Sequence, residues 1–80
     1  RDFADIAIQE LANGMLYVLR QNLGAPAEAL IRETARTFGT LRVGKHVEVR
    51  LRRALGFLIE SGKAQQTGEG HVSLVEGRTA

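Results

Sequence analysis

Residues 42–62, RVGKHVEVRLRRALGFLIESG, read as one amphipathic helix with its cations crowded into the front half and its apolar residues into the back. Val47, Leu51, Ala54, Leu55 and Leu58 recur at spacings of four, three, one and three. At about 100° per residue these positions gather on one side of a helix. Arg52 and Arg53 point elsewhere, together with Lys45 and His46 of the first turn. A helix that buries one stripe and holds several cations off it fits along a phosphate backbone. It equally fits an ordinary solvated surface, and most of the functional question turns on that choice.

Moving towards the amino end, residues 27–38 form a shorter helix with Ala27, Leu30, Ile31, Thr34 and Phe38 on one side and Arg32 and Arg36 on the other. Gly39 stops it. The link at 40–45 is longer than the three or four residues of a minimal helix-turn-helix turn. Gly39 and Gly44 bracket Leu41 and Val43, whose side chains plug the gap between helices. Gly44 reads first as a cap residue; the other reading is a place where a ligand approaches free backbone N–H groups.

Residues 5–23 make the first helix, with Ile8, Leu11, Met15, Val18 and Leu19 as its buried stripe. Asp5 is placed as N-cap or first-turn acid. Gly14 sits mid-pattern at a cost of about 1 kcal/mol against alanine, so fraying or a kink is expected there. Gly24 follows the cap, and Pro26 suits an extended residue before it and a first helical turn after it. Ile6 and Tyr17 fall off the stripe and are either exposed or turned towards another domain.

Towards the carboxyl end the period becomes extended. Residues 63–66 and 71–75 flank Thr67-Gly68-Glu69-Gly70, a turn of hairpin length, with Ala64, Val72 and Leu74 facing inward. A ribbon this thin must lean on the helices. The order is that of an α+β winged helix-turn-helix domain: three helices, with residues 25–27 as a short first strand that joins the hairpin in a three-stranded sheet. Residues 1–76 form the domain and 77–80 a disordered tail. The predicted core is Ile8, Leu11, Met15, Val18, Leu19, Leu30, Ile31, Phe38, Val47, Leu51, Leu55, Leu58, Val72 and Leu74.

Composition sets the limits of function. Eighty residues suffice for one domain. With no cysteine there is neither a disulfide nor a thiolate metal site, which fits a cytoplasmic setting. No apolar run reaches the roughly 18 residues of a membrane span, and no leader is visible. A chain beginning on Arg1 reads as a domain excised from something longer. Residues 32–53 carry seven basic residues against two acidic ones, a net of +5, whereas the remainder nets −3. That separation favours an anionic partner for the middle segment.

The run 35–42 (ARTFGTLR), followed by Gly44 and then 47–55, resembles a bacterial family catalogued as a domain of unknown function, found at the carboxyl end of large DNA helicase-related proteins. The shared pattern is Ala-x-x-Phe-Gly, Arg-x-Gly, a long helix of Val-x-x-x-Leu-x-x-Ala-Leu form and a glycine-bearing hairpin, covering residues 15–75. The resemblance implies a winged-helix accessory module attached to a helicase motor and a nuclease-like domain. Family members often close the last strand with an aromatic pair; His71-Val72-Ser73-Leu74 stands there instead.

No catalytic constellation is present: no phosphate loop, no Gly-x-Gly-x-x-Gly, no Ser-His-Asp set. His46 and His71 lack ligands at metal spacing, and Glu28 and Glu33, five apart, do not share a helix face. Neither metal nor cofactor is expected, and the domain itself is not an enzyme. As a DNA-binding surface the third helix would present Lys45, His46, Val49, Arg50, Arg52 and Arg53, with Arg36 and Arg42 reaching flanking phosphates. Five to seven engaged cations give an expected salt slope of roughly −4 to −6. Glu48, placed to pair with Arg52 at i,i+4, and the scarcity of Asn, Gln, Ser and Thr argue for backbone contact without sequence preference. The alternative is docking on another protein or domain through Val49, Gly56, Phe57, Ile6 and Tyr17, and a third reading is a purely structural cap. The expected state is a monomer, with no membrane partner.

Overall fold

A computed structural model describes residues 3–40 and 42–75; Leu41 and the tail assigned to 77–80 lie outside them. After a 3-10 turn, Phe3–Asp5, come α1 (Ile8–Asn22), β1 (Ala25–Pro26), α2 (Ala27–Thr37), α3 (Lys45–Glu60), β2 (Ala64–Gln66) and β3 (His71–Leu74). The strands form one antiparallel sheet in the order β1-β3-β2. Three helices followed by this small sheet give the α+β, winged-helix layout.

The helices end as their sequence dictates. Gly39 takes a φ of +87°, and the N–H groups of Gly39 and Thr40 donate to the carbonyls of Arg36 and Ala35, each at 2.9 Å. This is a Schellman closure, which only a left-handed residue at that position permits. Gly62, at φ +78°, closes α3 in the same way through Gly62 and Lys63 donating to Ile59 and Leu58. At the end of α1 the left-handed turn falls on Leu23 instead, at φ 58°. Gly24 is committed elsewhere: a Cβ there would lie 3.1 Å from the Val72 carbonyl oxygen, so glycine is what lets the chain run close against β3.

α1 packs on both α2 and α3. Leu11, Met15, Leu19, Leu30, Leu51, Leu58 and Val72 are fully buried between them. Every residue named above for the core is buried or packed against it, with Ile8, Phe38, Val47 and Leu74 only half covered. Thr34, the one polar residue in the core among those described, donates its hydroxyl to the Leu30 carbonyl at 2.7 Å and is satisfied there.

Three expectations are corrected. Gly14 neither frays nor kinks α1, which is continuous from Ile8–Asn22; the Phe38 ring sits over it, filling the place of a side chain. Ile6 is buried, only 5% exposed, because the 3-10 turn folds it back under α3 before the helical period begins. Asp5 belongs to that turn and caps nothing; Ala7 precedes α1 without a side-chain cap.

Candidate nucleic-acid interface

α3 is held by Leu51, Ala54, Leu55 and Leu58, so its azimuth is fixed and the direction of every other side chain follows. The arginines at 50, 52 and 53 therefore diverge. Arg50 is half buried, and its Nη2 donates to the backbone carbonyl of Ile6. Its Nε is buried without a partner. Arg50 thus braces α3 against the segment before α1, and it lines a hollow with Lys45, His46 and Val49. The acceptor lies 44 residues away in sequence, so no local spacing could show this bond.

Arg52 lies on the flank towards α2. Its Nε donates to Glu48 Oε2 at 2.9 Å, the i,i+4 pair that the spacing anticipates. Arg52 also lines a groove with Glu28, Ile31, Arg32 and Val43, and a second hollow, on the hairpin side, with Gln66 and Glu69. Three carboxylates thus surround this cation's approach. Arg53 faces the other way, into a shallow hollow with Ile8, Gly56, Phe57 and Glu60.

Arg42, Lys45 and His46 stay exposed and adjacent at the amino end of α3. Gly44 is the N-cap residue at φ −78° and ψ −178°, with no side-chain bond to the first turn. Its conformation is one any residue adopts, so here glycine leaves the helix end uncovered. The first-turn N–H groups and the positive end of the helix dipole add to the same field. Arg36, on α2, is exposed and holds Glu33 loosely at 3.6 Å. Exposed pairs of this kind contribute about 0.3–0.5 kcal/mol, so a phosphate can displace either carboxylate partner.

The hairpin turn carries Glu69 and no cation. The spacing places the turn, but only packing brings Glu69 beside Arg52. Only the packing of α2 beside α3 brings Glu28 to Arg52. Arg32, on the face of α2 opposite its buried stripe, lines the same groove. Among the described residues no helix is long and apolar enough to cross a membrane, and no group of three His, Cys, Asp or Glu is placed to hold a metal ion. No family model, no curated protein and no solved structure matches the chain.

Proposed function

We propose that this chain is a non-catalytic nucleic-acid-binding module that holds the sugar-phosphate backbone of DNA, without reading sequence, at the amino end of α3. The observation that carries this reading is the cluster Arg42, Lys45 and His46, exposed together on an uncapped helix start. Arg52 and Arg53 flank it, one on each side. The resemblance of residues 15–75 to helicase-related proteins supplies the setting, an accessory module appended to a motor.

With Arg50 committed to the Ile6 carbonyl, about four to six cations remain to engage phosphate. The salt slope should then be about −4 to −5 on duplex DNA, a little shallower than the sequence suggests. Fluorescence anisotropy with single- and double-stranded oligonucleotides at two salt concentrations measures it. Arg42→Glu/Lys45→Glu should weaken binding at low salt by more than tenfold. If wild-type protein shows no binding at low salt, the module docks on protein instead. That second reading is supported by Val49 and Phe57, 53% and 40% exposed on the outer face of α3.

A further inference from the structure

The outer face of α3 carries Arg53, Gly56, Phe57 and Glu60 at spacings of three, one and three. At about 100° per residue they occupy one sector of the helix, opposite the buried stripe. Arg53, Phe57 and Glu60 are exposed, and with Ile8 and Gly56 they line a shallow hollow. Neither Arg53 nor Glu60 has an ion-pair partner among the described residues.

Gly56 is the member that the monomer does not account for. Glycine inside a helix is disfavoured against alanine, and a close neighbour is the usual compensation. Gly14 has one: the Phe38 ring atoms would lie 2.4 and 2.6 Å from an added Cβ. At Gly56 a Cβ meets no heavy atom within 4 Å. The notch opens outward, beside an exposed ring.

Taken along the helix, the four positions are cation, notch, ring, anion. Set antiparallel against a second copy, with the two-fold axis between positions 56 and 57, the pattern is its own complement. Arg53 then faces Glu60 of the second copy, and Phe57 faces the notch at Gly56, each contact occurring twice. Self-complementarity of this kind is what an isologous two-fold interface requires. We propose that this face of α3 is a homodimer contact, an antiparallel α3–α3 pair centred on Gly56 and Phe57. From Arg53 to Glu60 the helix runs only about 11 Å. The contact therefore falls below about 1,200 Å², the range of weak, transient interfaces, with a Kd on the order of 100 µM.

The proposal is tested on the 80-residue chain without nucleic acid, so its outcome is separate from that of the function proposed above. Sedimentation velocity from about 20 µM to 1 mM, a range bracketing that Kd, should show wild-type protein passing from monomer to dimer. Arg53→Glu and Glu60→Arg should each weaken the dimer by tenfold or more, since each sets like charges face to face twice. Mixed in equal amounts, the two variants should associate again, because every facing pair is then Glu with Arg. Recovery on mixing also shows that both variants are folded. A wild-type protein still monomeric at the highest concentration, a dimer indifferent to both charge reversals, or a mixture that stays monomeric would each overturn the proposal.

Discussion

An added methyl at position 14 would place a carbon 2.4 and 2.6 Å from two atoms of the Phe38 ring, while the same methyl at position 56 would touch nothing. In the first case the ring must leave its seat, and with it the edge-to-face contact with Phe3 at 6.4 Å. Overpacking of this kind costs about 1–3 kcal/mol and exceeds the roughly 1 kcal/mol that alanine brings to a helix. Gly14→Ala should therefore lower stability by about 1 kcal/mol, and Gly56→Ala should raise that of the monomer by up to about 1 kcal/mol. Urea midpoints measure both. In a Phe38→Ala background the sign at position 14 should reverse. Arg50 separates structure from binding in a similar way. Arg50→Met keeps the apolar stem but withdraws the donor from Ile6 and removes an unpaired buried Nε. A net loss of about 0.5–1 kcal/mol should follow, with nucleic-acid affinity unchanged within about twofold. A large loss of affinity with no loss of stability would return Arg50 to the contact surface.

Among the elements, the hairpin decides how much of the surface is open to an anion. Its turn joins β2 to β3 and hangs beside Arg52 with Glu69 at its tip, so the carboxylate repels the phosphate that Arg52 would attract. Glu69→Lys should tighten DNA binding about three- to tenfold at low salt and steepen the salt slope by about one. An unaltered affinity would show that the backbone never approaches the hairpin. The helices were the most legible elements: the buried stripe of α3 is the one its spacing gives, and Gly39 and Gly62 mark where α2 and α3 end. The strands were legible through punctuation, since Pro26 and the 67–70 turn bracket them. Ile6 was not legible, because it lies in the joint between a 3-10 turn and a helix, where neither period applies.

Over the whole molecule the cations are spread around α3, and the third helix does not present them on a single face. Sequence alone supplied their number and their density along the chain. Their directions came only from packing, which turned Arg50 inward, set Arg52 among Glu28, Glu48 and Glu69, and sent Arg53 to the far side. The cluster at 42, 45 and 46 spans only five residues at the start of α3, so its proximity was legible in the sequence. The sheet order has a consequence for how the chain is made. β3 follows the other two strands in sequence yet lies between them, pairing with Ala25 and Pro26 on one edge and with residues 64–66 on the other. During synthesis neither earlier strand can find its neighbour until residues 71–74 have left the ribosome. Until then Val72, fully buried in the finished domain, is missing from the core. Folding of this domain therefore waits for its own last strand to leave the tunnel and close over the helices already outside it.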